Sequence, residues 1–310
     1  MISSLKQLKN ILFIALAIAA ASPYVSAPIA LFMGLAFALI FGTPFPRLSR
    51  VMAKYLLQIS VVGLGFGMHL GESLQAGAQG MLFTVVSVVS VLFMGIVIGK
   101  FLGVPKTTSY LIASGTAICG GSAIAAVGPI SKANDSEMSV SLATIFLLNA
   151  VALFVFPAIG HWAALTQEQF GLWAAIAIHD TSSVVGAGAV YGDEALKIAT
   201  TVKLTRALWI IPLSVFTIFY FKTKGQKIVI PWFILFFVLA MVANTYFNFS
   251  AVLFDGIVSV SRQALVLTLF FIGAGMSRKS IQQVGIKPLI LGVLLWVFIA
   301  VMSFAVVMFV

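Results

Sequence analysis

Ile118-Cys119-Gly120-Gly121-Ser122-Ala123-Ile124-Ala125-Ala126-Val127-Gly128-Pro129-Ile130 sits inside a long apolar run, yet glycine, serine and proline interrupt it. A helix interior loses about 1 kcal/mol at each Gly and about 3 kcal/mol at Pro, relative to Ala. At membrane depth, irregular backbone is tolerated only where it is buried in protein or lines a cavity. Two explanations fit the stretch by itself: helices packed closely by small residues, or an interrupted helix at a binding site.

The surroundings set the class. The chain has 310 residues, 61% hydrophobic and 8% charged, where soluble domains carry about 25% charged residues. An all-α polytopic membrane protein is expected. A net charge of +10 would suggest nucleic acid in a soluble protein. Here the basic residues fall mostly in short connections between apolar runs, so the positive-inside rule explains them and no nucleic-acid partner is expected. A single cysteine, Cys119, excludes an intramolecular disulfide and a cysteine-based metal cluster. Neither a metal-ligand set nor a nucleotide-binding motif is evident, so no cofactor is expected. Residues 1–22 mimic a signal peptide, with Lys6 and Lys9 before an apolar stretch ending in Ala-Ala-Ala-Ser. Because many spans follow, a retained first helix is expected.

Apolar runs mark eleven spans: 8–22, 28–43, 55–70, 80–99, 108–130, 139–160, 171–190, 199–221, 229–248, 254–276 and 288–308. They form a single transmembrane domain over residues 1–310. With the N-terminus in the cytoplasm, the inside segments hold Lys6, Lys9, Arg47, Arg50, Lys54, Lys100, Lys106, Lys222, Lys224, Lys227, Arg278, Lys279 and Lys287. The outside loops hold only Lys132 and Lys197. That bias favours a cytoplasmic N-terminus and an outside C-terminus. One inside loop, 161–170, has no Lys or Arg and breaks the pattern.

Two internal similarities stand out. Gly65-Phe66-Gly67-Met68 matches Gly273-Ala274-Gly275-Met276, and Gln75 and Gly77 match Gln283 and Gly285 at the same offset. The eleven-span topology makes this pair inverted, as in many secondary transporters. Ile118-Cys119-Gly120-Gly121-Ser122-Ala123-Ile124 also aligns with Ile178-His179-Asp180-Thr181-Ser182-Ser183-Val184. The same topology gives these two one direction, so either the likeness is chance or convergent polar patterning, or one segment is re-entrant.

Three basic residues fall within spans. An ionisable side chain at the centre of a membrane helix costs about 2.5–3.5 kcal/mol on insertion scales. Lys203 and Arg206 share a helical face at i, i+3; Lys203 fits snorkelling to the surface, and the deeper Arg206 fits an anion site. Arg262 has similar depth, with Asp255 seven residues earlier as a structural partner. His179-Asp180-Thr181-Ser182-Ser183 is a polar run in an apolar helix. Its hydroxyls and freed amides suit an oxyanion at a half-helix N-terminus, or hydrogen bonds between helices. Asp180 is expected to pair with Lys203 or Arg206, or to carry a proton; His179 is a second proton carrier. Gly120, Gly121 and Ser122 supply matching donors from the fifth span. Asn149 reads as interhelical glue.

Together the Ile-Cys-Gly-Gly-Ser-Ala-Ile-Ala-Ala stretch, His179-Asp180-Thr181-Ser182-Ser183, Val202-Lys203-Leu204-Thr205-Arg206 and Gly273-Ala274-Gly275-Met276 resemble the YeiH-like family of bacterial inner-membrane proteins, described as sulfate exporters. The resemblance runs over nearly the whole chain. It implies a bacterial plasma (inner) membrane protein that exports sulfate or sulfite. The wider superfamily it resembles includes bile-acid and sodium/proton exchangers, with inverted five-helix repeats and crossed, interrupted helices. On that pattern 8–22 is an extra N-terminal helix, 28–160 a first repeat and 171–308 a second, with spans 5 and 10 crossing.

The expected function is a secondary transporter moving a small inorganic anion by alternating access. Its substrate-binding residues are Gly120, Gly121, Ser122, Thr181, Ser182, Ser183, Lys203, Arg206 and Arg262, with His179 and Asp180 for proton coupling. Its partners are the anion and the lipid bilayer, and a homodimer is compatible with it. An organic-anion carrier coupled to sodium or protons remains open. So do a passive anion channel and an intramembrane enzyme with Ser122 or Cys119 as nucleophile.

Overall fold

A computed structural model describes residues 2–71, 74, 81–223, 232–247, 251–275 and 285–309. The described residues in regular structure are helical. In chain order the helices are α1 (Ile2–Ala20), α2 (Ala27–Phe41), α3 (Pro46–Gly65), α4 (Met81–Leu102), α5 (Lys106–Ala117), α6 (Gly121–Ile130) and α7 (Asp135–Trp162). They continue with α8 (Gln167–Ala177), α9 (Thr181–Tyr191), α10 (Asp193–Ala207), α11 (Ile210–Phe221), α12 (Trp232–Tyr246), α13 (Ala251–Gly275) and α14 (Ile286–Val307). Among the described residues five helical stretches are long and apolar enough to cross a membrane: 83–102, 136–162, 193–221, 252–275 and 286–307.

The chain divides into two compact units. The first joins residues 1–72 to 232–279 and contains α1, α2, α3, α12 and α13. Its core is aromatic: Phe13 meets Phe37 at 5.3 Å and Phe270 at 5.3 Å between ring centroids. Small residues let the helix backbones approach. A side chain at Gly34 would strike the backbone of Phe270 and Ala274, and one at Gly273 would strike that of Leu31 and Leu35. Likewise Gly65 closes on the Phe237 carbonyl of α12. Thus Gly65 and Gly273, matched in the sequence, each seat a helix end against a neighbour. Met276, Gln75, Gly77 and Gln283 lie outside the described residues, as do Lys224, Lys227, Arg278 and Lys279.

The second unit, residues 73–231 and 280–310, contains α4 to α11 and α14. Its axis is the 28-residue α7, started by a capping box in which Asn134 and Glu137 exchange bonds of 2.9 Å. Contacts along α7 locate everything else. Met138 faces Gly128, Phe146 faces Gly121, and Ile145 faces Gly115. Asn149 bonds the 179–180 backbone, Phe156 stacks on Trp173 at 4.3 Å, and Gly160 faces Phe170 and Tyr191.

This order corrects the expected fifth and seventh spans. Neither crosses; each is a hairpin of two short helices. A Cβ on Gly115 would lie 3.0 Å from Ile124 Cδ1, although one continuous helix would part residues nine apart by about 13 Å. So α6 doubles back beside α5, and the hairpin starts and ends near the Met138 end of α7. In the other hairpin the Tyr191 hydroxyl donates to the Leu165 carbonyl at 2.6 Å. Tyr191 stacks on Phe170 at 3.8 Å, and Gln167 Oε1 accepts from the Glu194 amide at 3.0 Å. Its two ends therefore meet at the opposite end of α7. Within the second unit, the segment beside 118–120 is 178–180.

The hairpins also repair the charge pattern. Lys132 closes the first hairpin and so lies at the same end as Lys106, whose ammonium sits 4.2 Å over the Tyr220 ring. A Cβ on Gly103 would lie 3.4 Å from Lys287 Nζ, placing Lys100 and Lys287 at that end too. Loop 161–170 falls at the other end, where Lys197 is paired with Glu194 at 3.7 Å.

Candidate functional site

Both hairpins break for local reasons. At the first tip, Ile118 leaves helical geometry (φ −123°, ψ −84°) and Gly120 turns with φ 64°, ψ −126°, which only glycine adopts readily. Gly120 is then the N-cap of α6. At the second tip Ile178 is extended and Asp180 is the N-cap of α9. The sequence alignment of the two stretches therefore pairs N-cap with N-cap. The tips touch: a Cβ on Gly120 would lie 3.1 Å from the Asp180 Cβ and 3.3 Å from its amide nitrogen.

Asp180 is the hub of the second tip. Its carboxylate accepts from the Ser183 amide at 2.7 Å, Ser182 Oγ at 2.6 Å, Ser183 Oγ at 3.3 Å and Asn149 Nδ2 at 2.5 Å. Asn149 Oδ1 in turn accepts from the amides of His179 at 3.1 Å and Asp180 at 3.4 Å. The lone amide of α7 does join helices, as its position suggests, but what it joins is the tip of a hairpin. The His179 ring is fully buried, 6.3 Å from the Trp296 ring, and neither ring nitrogen has a hydrogen-bond partner among the described residues.

The expected pairing of Asp180 with Lys203 or Arg206 is not made: the Asp180 partners are Asn149, Ser182 and Ser183. Lys203 and Arg206 are fully buried on α10, yet both donate to backbone carbonyls. Lys203 Nζ bonds the Ile178 carbonyl at 2.7 Å and that of Ala175 at 3.3 Å. Arg206 bonds the Ala117 carbonyl through Nε at 2.9 Å and Nη2 at 2.5 Å, and Ser87 Oγ through Nη1 at 2.9 Å. Snorkelling of Lys203 is thereby corrected: its ammonium points into the second hairpin.

Of the expected site residues, the fold gathers Gly120, Gly121, Ser122, His179, Asp180, Thr181, Ser182, Ser183, Lys203 and Arg206 in one unit. Ser122 is exposed and Gly121 half-buried, while Thr181, Ser182 and Ser183 are buried. Arg262 lies exposed on α13 in the other unit. Ser87 went unnoticed in the sequence because a serine in an apolar helix carries no positional signal. Asn149, read as interhelical glue, links α7 to the second tip.

Two opposed hairpins meeting inside a bundle of apolar helices define a multi-pass membrane protein. The family described as conserved hypothetical protein 698 matches residues 8–292. A UPF0324 membrane protein of Bacteroides thetaiotaomicron is 61% identical over 93% of this chain and 88% of its own length. One from Porphyromonas gingivalis is 58% identical over 91% and 87%. UPF0324 membrane protein PBPRB0970 of Photobacterium profundum is 47% identical over 96% and 91%. The chain belongs to this family, UPF0324, which includes the YeiH-like proteins. No solved structure matches it.

Proposed function

We propose that this protein is a secondary transporter that exports a small inorganic oxyanion, sulfate or sulfite, across the bacterial inner membrane by alternating access. The carrying observation is the equivalence of Gly120 and Asp180. On α9 a carboxyl group occupies the N-cap and collects an amide and two hydroxyls. On α6 the same position is glycine and supplies no side-chain acceptor, so the first-turn amides and Ser122 suit an anion arriving from outside the chain. Helix N-termini carry about half a positive charge and favour such ligands.

The lysine-bearing end of the second unit is the cytoplasmic one on this proposal, by the positive-inside rule. The C-terminus is then outside, and the N-terminus, with Lys6 and Lys9, is inside by the same rule. Inverted repeats support alternating access. The opposed hairpins, and α4 lying antiparallel to α14 with Gly95 near Leu295 and Gly99 near Leu291, have the form inversion gives. Proton coupling runs through His179 or Asp180.

Thermal stabilisation of the purified protein by a panel of anions tests the proposal, because a ligand of the folded state raises apparent stability by mass action. Sulfate or sulfite should raise the midpoint above chloride at equal ionic strength. Stabilisation by organic sulfonates or carboxylates alone would transfer the site to an organic anion. No response to any anion would end the proposal. Sulfate flux from proteoliposomes that ignores a pH gradient would remove the proton.

A further inference from the structure

We infer that Lys203 and Arg206 are positioning residues: each clamps the carbonyl end of one hairpin's first arm, tying both tips to α10. The inference deepens the proposed anion site, but its geometry stands apart from what the protein transports. The end of a helix leaves its last carbonyls without intrahelical donors and carries partial negative charge. Inside a membrane no bulk water relieves them. Both hairpins place such an end deep in the second unit, because α5 stops at Ala117 and α8 at Ala177.

One helix serves both ends. Lys203 and Arg206 are three residues apart on α10 and so share a face. Lys203 takes the α8 end through the Ile178 and Ala175 carbonyls. Arg206 takes the α5 end through Ala117 with two of its nitrogens, and reaches α4 through Ser87 with a third. The guanidinium fork suits that three-way junction, whereas the compact ammonium suits two carbonyls of a single helix turn. Each cation cancels the negative pole of a first arm. The amide poles of α6 and α9 then dominate the tips, so the cations favour an anion there without touching it. Tied to one rigid helix, the two tips move together rather than opening one at a time.

The chain carries its own reporter for this division of labour. Cys119, the single cysteine, is buried in the first break, two residues beyond Ala117. Labelling of the full-length protein with N-ethylmaleimide, followed by mass spectrometry, reads opening of that tip. Arg206→Gln should speed labelling of Cys119 by about tenfold or more, as expected for loss of charge-assisted bonds that hold a local structure. Lys203→Gln should leave the rate at the wild-type value. In a Cys119→Ser, Ala177→Cys background the pattern should reverse, with Lys203→Gln accelerating and Arg206→Gln inert. Arg206→Lys, which keeps the charge and loses the fork, should fall between wild type and Arg206→Gln. Equal acceleration of both reporters by either cation variant, or acceleration of neither, would overturn the inference. Because no anion enters the assay, the labelling pattern can hold while the anion panel fails, which would discard the transporter proposal alone.

Discussion

The two hairpins of the second unit are built alike and finished differently. Each has a first arm ending at carbonyls held by a buried cation and a second arm starting at a tip N-cap. The second tip is closed by its own side chains: Asp180 caps α9, and Asn149 fastens it to α7. The first tip has glycine where the second has aspartate, and Ser122 is exposed where Ser182 is buried and bonded to Asp180. The same scaffold therefore yields one tip capped by its own aspartate and one whose N-cap glycine brings no side-chain acceptor. Stability should reside in the second and ligand binding in the first.

That contrast can be broken most severely at Asp180. Asp180→Ala strips the acceptor from four donors and should cost about 3–5 kcal/mol of stability, as when one partner of a buried charged network is removed. A drop in thermal midpoint no larger than that of a surface variant would show that the second tip does not hold the unit together. Asn149→Leu comes next. It frees the Asp180 carboxylate and two amides of their link to α7, for about 2–3 kcal/mol, since buried groups left unpaired are expensive. Unfolding in detergent should show the loss, and a neutral result would remove α7 as the anchor.

At the first tip the backbone sets the cost. Gly120→Ala forces a side chain into a conformation that disfavours it, against Asp180, for about 2 kcal/mol. Measured anion stabilisation should fall with it, because the two N-caps are pushed apart. The sharpest comparison uses the smallest change. Ser182→Ala should cost about 1 kcal/mol of stability, the usual worth of one hydrogen bond. Ser122→Ala should leave the melting midpoint unchanged and weaken the sulfate response. If the two serines gave the reverse, the tips would have been assigned the wrong way round.

Much of this was legible in the residues. Hydrophobic runs announced a polytopic helical protein, and the alignment of 118–124 with 178–184, left open between chance, convergent patterning and a re-entrant segment, falls on the two breaks. What misled was length. Residues 108–130 and 171–190 are long enough to span, and hydropathy does not distinguish a crossing from a hairpin, because both must be apolar to sit in a bilayer. The exceptions in the charge pattern, Lys132 on the wrong side and loop 161–170 without a basic residue, were the traces of that error. Two missed reversals leave the C-terminal side unchanged, so the overall count concealed them. The cations misled for another reason. A buried Arg in a membrane helix points equally to a ligand and to a carbonyl, and it is the folded hairpin that brings Ala117 to Arg206.

The bond between Arg206 and Ala117 joins residues 89 positions apart, and this has a consequence for synthesis of the chain. The first hairpin is made and inserted before the residue that satisfies its carbonyl end exists. Until α10 emerges, that end must borrow hydrogen bonds from water at the insertion machinery. The second hairpin waits far less, since Ile178 and Lys203 are 25 apart. Assembly is therefore ordered: α10, made after all four hairpin arms, locks both hairpins at one stroke, and a chain stalled before residue 206 holds an unfinished first tip.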